Sequence, residues 1–249
     1  MTATLVLAAH GARSRGWESV MGSLADGVRR ARPGCRVELG FLETSRPPLA
    51  DVLSAVPGPV VVVPLLLAGG YHVHIDLPAV VAATRPDALV ARQLGPHPLL
   101  TAALARRLAS AGLRACDAVV LAAAGSSDPA AVEDVRAAAR LLSVRLSRPV
   151  SAAFGSGTGL SVAEALDRVR SGPAPRVMIA SYLLAPGLFH ARLAASGADA
   201  VSAPLGTDPD VAALVWTRFD EALAAGRWTP RPEAAAVPRR PRARRLALR

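Results

Sequence analysis

Short unbroken apolar runs alternate along the chain with longer stretches in which apolar residues return every three or four positions. Runs of the first kind read as strands buried on both faces, and stretches of the second kind as amphipathic helices. In the first part of the chain the pattern predicts strands over Leu5–Ala9, Val37–Leu42, Val60–Leu67 and Ala88–Gln93. It predicts helices over Trp17–Arg32, Pro48–Val56, Pro78–Arg85 and Pro98–Ala111, two of them stopped by Pro33-Gly34 and Pro57-Gly58-Pro59. Further strands are predicted near 118–123, 150–154, 176–184 and 199–203. Such alternation calls for parallel sheets covered by helices on both faces, joined by right-handed crossovers.

The pattern also repeats. LVLAAHGAR (5–13) matches VVLAAAGSS (119–127), GFLE (40–43) falls opposite AFGS (153–156), PLLLAGG (64–70) opposite SYLLAPG (181–187), and RQLGPHPLLTAAL (92–104) opposite APLGTDPDVAALV (203–215). Four matching blocks in one order imply a duplicated domain. The expected fold class is therefore α/β, with two tandem doubly wound domains, each a parallel sheet flanked by helices. The expected division is 1–114, 115–226 and a tail over 227–249. The duplication predicts a division of labour as well. His10 falls opposite Ala124, Glu43 opposite Ser156 and His97 opposite Asp208; with Gly70 set on Gly187, His72 falls opposite Phe189 and Val73 opposite His190. One half carries candidate chemistry and the other supports it.

Composition changes this picture little. With 249 residues, 51% of them apolar, there is ample material for real cores. The apolar runs are too short to span a bilayer, and MTATLVLAAHGA enters a strand without the basic stretch and cleavage site of a secretory leader, so the expected location is cytoplasmic. Cys35 and Cys116 form no CxxC pair and read as packing residues in a reducing compartment. The formal charge of +10 suggests nucleic acid at first, but Arg227 to Arg249 holds eight arginines against one acid, so the excess is largely a tail. That Pro/Arg-rich tail reads as a disordered appendage, and neither nucleic acid nor a membrane is expected as a partner.

Candidate chemistry collects at the carboxyl ends of the first-half strands, where parallel α/β sheets handle ligands. Leu5–Ala9 runs into His10-Gly11, Val37–Leu42 into Glu43, and Val60–Leu67 into a Gly-Gly turn followed by His72 and His74. Two imidazoles and a carboxylate at three strand ends suit a first-row divalent metal. Each residue alone also has a plain structural reading: His10 capping a carbonyl, Glu43 facing solvent, His97 in a loop between prolines. Asp76, just before Leu77-Pro78, is expected to cap the next helix. Arg13, Arg15 and Arg46 follow the same strand ends, as carboxylate-binding groups or as solvated surface. The GSGTG stretch (155–159) lacks the lysine and spacing of a phosphate loop, so no nucleotide cofactor is expected. A phosphohistidine chemistry is disfavoured because Ala9, not arginine, precedes His10-Gly11.

AHGAR (9–13), FLETSRPPL (41–49) and PLLLAGGYHVHIDLP (64–78), within a duplicated layout, resemble the class II tetrapyrrole chelatases, specifically the sirohydrochlorin chelatase group that includes CbiX and SirB proteins. The resemblance implies a chelatase that inserts Fe2+ or Co2+ into sirohydrochlorin without ATP, in sirohaem or cobalamin biosynthesis. It implies His10, Glu43 and His72 as metal ligands, His10 and His72 as the catalytic pair, and no cofactor beyond the substrate metal. Arg13, Arg46, Gly69, Gly70 and Tyr71 are the expected contacts to the tetrapyrrole, and His74 falls at a variable position beside the ligands. His10-Gly-Ala stands here where the family more often has His-Gly-Ser. Monomer and homodimer both fit. A non-catalytic metal or tetrapyrrole carrier would use the same ligands, and a flavodoxin-like regulatory domain would use its histidines structurally.

Overall fold

The computed structural model describes residues 3–12 and 14–226. Eight strands form two four-stranded parallel sheets. The first takes β1 (Thr4–Ala9), β2 (Val37–Phe41), β3 (Val60–Pro64) and β4 (Leu89–Val90) in the order β2-β1-β3-β4. The second takes β5 (Ala118–Ala123), β6 (Val150–Phe154), β7 (Val177–Ser181) and β8 (Ala200–Val201) in the order β6-β5-β7-β8. The helices are α1 (Arg15–Ala31), α2 (Leu49–Ala55), α3 (Leu77–Thr84), α4 (Pro98–Ser110), α5 (Pro129–Leu146), α6 (Val162–Arg170), α7 (Leu188–Ala194) and α8 (Pro209–Ala225). The chain is thus two tandem doubly wound units, as the repeated blocks predicted. Among the described residues no helix is long and apolar enough to cross a membrane. The basic tail and Arg13 lie outside the described residues.

Alternate positions of each strand feed different cores. Val6 and Ala8 of β1, with Val60 and Val62 of β3, face Leu49 and Leu53 of α2 and Leu77 and Val81 of α3 on the outer side. Val120 and Ala122 of β5 do the same against Ala165 and Leu166 of α6 and Leu193 of α7. The opposite faces of both sheets share one continuous core with α1, α4, α5 and α8. Within it the closing helices are exchanged: α8 packs on β3 and β4 of the first sheet, and α4 packs on β7 of the second. Trp216 of α8 is buried, and its indole N–H donates to the Val28 carbonyl of α1 at 3.1 Å. Arg218, also buried, donates to the carbonyls of Gln93 and Leu94 just after β4. Arg106 of α4 reaches Asp208 and Asp210 at the start of α8, and these carboxylates hold its guanidinium in the charged form.

The third strand ends earlier than its apolar run suggests. Regular strand ends at Pro64; the Leu65 N–H still donates to the Ala8 carbonyl at 2.8 Å, and Leu65–Leu67 continue as irregular chain. His97, expected in a loop, is instead the N-cap of α4, where its Nδ1 accepts the Leu99 N–H at 3.2 Å. Asp208, its counterpart in the repeat, caps α8 through Asp210 N–H in the same way.

Gly125 has φ +100°, and a Cβ there would lie 1.9 Å from the Ser156 carbonyl oxygen. Gly125→Ala should therefore lower unfolding free energy by about 3 kcal/mol in denaturant titration, and an unshifted midpoint would contradict the contact. His97 is held below its ordinary value of 6.5 by burial and then by the Arg218 guanidinium. The unfolded chain therefore binds that proton first on acidification, and stability is lost as pH falls through 6.5. His97→Asn caps without titrating, so its melting temperature should rise relative to the parent between pH 7.5 and 5.5. A constant difference would contradict the assignment.

Candidate metal centre at the cleft between the halves

The order β2-β1-β3-β4 puts the topological switch point between β1 and β3, whose crossovers leave in opposite directions. Three loops converge there. At the end of β1, Gly11 takes φ +101°, and a Cβ on it would fall 1.8 Å from the Glu43 carbonyl oxygen, so only glycine lets these two loops meet. The Glu43 N–H donates to the His10 carbonyl at 2.9 Å, and the Ala12 N–H to the buried Ser45 hydroxyl at 3.1 Å. His10 and Glu43 are thus set side by side by backbone, before their side chains contribute anything.

The third loop turns rather than extends. After Gly69-Gly70 the chain forms a π-helical turn over His72–Asp76 that runs directly into α3, closed by the Leu77 N–H to the His72 carbonyl. Val73 is buried on its inner side and anchors it. Winding places His72 and Asp76 together, with His72 Nδ1 2.6 Å from Asp76 Oδ2. The carboxylate has only lone pairs to offer, so the imidazole carries its proton on Nδ1 and leaves Nε2 free as a ligand. Asp76, expected as a helix cap, makes no capping hydrogen bond; it orients His72 instead.

Glu43, His72 and Asp76 offer donor atoms that all lie within 4.8 Å of one another, a set able to hold a metal ion. His10 stands beside this set rather than within it, its ring centroid 4.1 Å from that of His72 at a 50° tilt. Its Nδ1 is buried and finds no protein partner. A buried ring nitrogen left without a partner is unusual, and a bound cation would satisfy it. The ring of Tyr71, itself half exposed, meets His72 edge-on at 6.2 Å.

His10, Tyr71 and His72 line a cleft of about 470 Å³ between the two halves. The first half contributes His10, Trp17, Leu65–Ala68 and Gly70–Val73; the second faces them with Ala123–Ser127, Ala131, Val135, Phe154 and Tyr182–Leu184. Gly70 and Tyr71 line this cleft. Gly69 does not: it is buried behind the loop, its N–H donating to Asp134 Oδ2 at 2.7 Å. Arg46 is exposed on the loop after Glu43, while Arg13 lies outside the described residues. His74 points away from His72 and lines a separate cavity with Gln93, Asp134 and Glu221. In the second half the equivalent positions hold Ala124, Ser156, whose hydroxyl donates to the Ala124 carbonyl, and Phe189. His190 meets the Ser202 carbonyl at 3.2 Å.

Fold and site together define a duplicated doubly wound protein that gathers carboxylate and imidazole donors at one switch point. The comparisons make the class specific. The CbiX family profile matches residues 4–111 and again 118–222, one match per half, so the chain belongs to the CbiX family of sirohydrochlorin chelatases. A sirohydrochlorin cobaltochelatase of Sulfolobus acidocaldarius is 32% identical over 78 residues, which is 30% of this chain and 62% of the length of that relative. SirB from Bacillus subtilis with Fe3+ superposes with a TM-score of 0.79 at 22% identity, covering 90% of this chain and 96% of that one. SirB from Bacillus subtilis subspecies spizizenii in complex with cobalt gives 0.74 at 21% identity, covering 89% and 95%.

If Asp76 sets the His72 tautomer, Asp76→Ala should weaken Co2+ binding about tenfold or more in an anaerobic titration, without unfolding the protein. Unchanged affinity would remove Asp76 from the site.

Proposed function

We propose that this chain is a sirohydrochlorin chelatase that inserts Fe2+ or Co2+ into the tetrapyrrole without ATP. The observation that carries the reading is the Glu43, His72 and Asp76 cluster with the unpartnered His10 nitrogen beside it, His10 and His72 both lining an apolar cleft. The activity named for the Sulfolobus relative and the metals held by the Bacillus structures support it.

In this reading the divalent ion is substrate. His72 through Nε2, the Glu43 carboxylate and His10 hold it, a mixed nitrogen and oxygen set that binds first-row ions while leaving coordination positions open to an incoming macrocycle. The macrocycle lies against the apolar walls of the cleft, with Gly70 and Tyr71 on one side and Phe154 and Leu184 on the other. Arg46, and Arg13 before it, meet its carboxylates. Insertion replaces two pyrrole N–H protons by one M2+, so two protons must be taken up as the ion moves over. His10 and His72, freed as the ion departs, are the bases that take them up, and Glu43 can relay protons onward. His72 stays oriented by Asp76 to receive the next ion. Because the duplication supplies both walls of the cleft, one chain forms the whole site, alone or in a homodimer, in the cytoplasm. The choice between iron and cobalt follows metal supply, since these donors suit both.

Anaerobic mixing of the protein with sirohydrochlorin and either Co2+ or Fe2+, followed by tetrapyrrole absorbance, tests the proposal. His10→Ala and His72→Ala should each slow conversion by about 100-fold or more. Tight macrocycle binding with no acceleration over these variants would instead make the protein a carrier.

A further inference from the structure

The second half has no counterpart of His10, Glu43 or His72, yet it touches the loop that carries His72 at two partly buried points. Asp134 on α5 accepts the Gly69 N–H at 2.7 Å and the Gln93 Nε2–H at 2.9 Å, both on the same oxygen, Oδ2. Tyr182, just past β7, is buried and donates its hydroxyl to the Leu67 carbonyl at 3.1 Å. Burial, and then the nearby Asp134 charge, hold this phenol firmly protonated, so it remains a donor across the working pH range. These bonds close both ends of the segment Leu67–Gly69, directly before the π-helical turn. The fit is tight: a Cβ on Gly69 would lie 2.8 Å from His74 Nε2 and 3.3 Å from Asp134 Oδ2.

Backbone bonds hold the chain as far as Leu66, through the Leu65 N–H to the Ala8 carbonyl and the Leu94 N–H to the Leu66 carbonyl, and beyond them Gly69-Gly70 gives the backbone wide freedom. The turn that follows has Val73 as its buried anchor. Without Asp134 the Gly69 N–H would be buried unpaired, which the loop would relieve by shifting, and His72 is three residues further on. The same face of α5 presents Ala131 and Val135 to the cleft, so one helix both lines the cleft and holds the loop.

We infer that Asp134 and Tyr182 are positioning residues for the metal centre, through which the half lacking metal donors fixes the place of His72. The inference rests on the metal-site reading above and adds that metal affinity depends on the second half.

The test is anaerobic Co2+ titration of the full chain, followed by the visible d–d bands of the bound ion, with melting temperature recorded alongside. Asp134→Ala should bind Co2+ about tenfold more weakly and alter the band pattern at temperatures well below unfolding. Asp134→Asn keeps an oxygen able to accept both hydrogen bonds and should restore affinity, although it removes the charge. Tyr182→Phe keeps the ring, loses the hydroxyl, and should weaken binding several-fold; it carries the test if Asp134→Ala does not fold. Parental affinity in Asp134→Ala or Tyr182→Phe, while His72→Ala loses binding, would overturn the positioning role and leave the metal site standing. Equal loss in Asp134→Asn and Asp134→Ala would assign the effect to charge and overturn it too. Unchanged binding in His72→Ala would overturn the metal site itself, and the inference with it.

Discussion

Each sheet buries its inner face partly against helices of its own half and partly against one closing helix that the other half of the chain supplies. The face of β3 and β4 that turns inward is covered by α8, from the far end of the chain, and β7 is packed by α4, from the first half. Removing either half would therefore expose an apolar face of its partner sheet, at a cost of roughly 25 cal/mol for every Å² uncovered. Arg106 to Asp208 and Asp210, Arg218 to the Gln93 and Leu94 carbonyls, and Trp216 to Val28 tie the same exchange with polar contacts. The consequence for function is geometric. With helices shared across the join, the carboxyl ends of the two sheets are held facing each other, and the cleft between them is a fixed feature of the core.

Duplication on this plan separates two tasks that a single copy would have to combine. The first half keeps donors at its switch point, where Gly11 lets the β1 and β2 loops touch and the π-helical turn brings His72 onto Asp76. The second half keeps the same backbone device, with Gly125 against the Ser156 carbonyl, but replaces the donors by alanine, serine and phenylalanine. Its surface over the cleft is correspondingly apolar, built from Ala123, Phe154 and Leu184. One wall carries the carboxylate and imidazole donors, and the other is largely apolar.

Much of this was legible in the sequence because strands buried on both faces leave unbroken apolar runs, and their ends can be counted. That is why the duplication and the gathering of His10, Glu43 and His72 at adjacent strand ends emerge from the residues. The third run misleads past Pro64: Leu65 to Leu67 are apolar because they line the cleft and core, and not because they continue the strand. Asp76 before Leu77-Pro78 resembles a capping residue, and only the winding of the turn shows that it faces His72. Its spacing of four from His72 was the available signal, readable once that segment is taken as helical. The exchange of α4 and α8 leaves no trace in periodicity, which shows that a helix has an apolar face but not which sheet it meets. Asp134 looks like an ordinary polar position on an amphipathic helix until Gly69 is seen against it.

Which atoms hold the ion is tested most directly by X-ray absorption at the cobalt edge of the Co2+-loaded protein. The predicted result is a nitrogen and oxygen environment with two imidazoles, falling to one in either His10→Ala or His72→Ala. A spectrum with two imidazoles that persists in both variants, or one that lacks imidazole scattering altogether, would contradict the placement of the metal at this switch point.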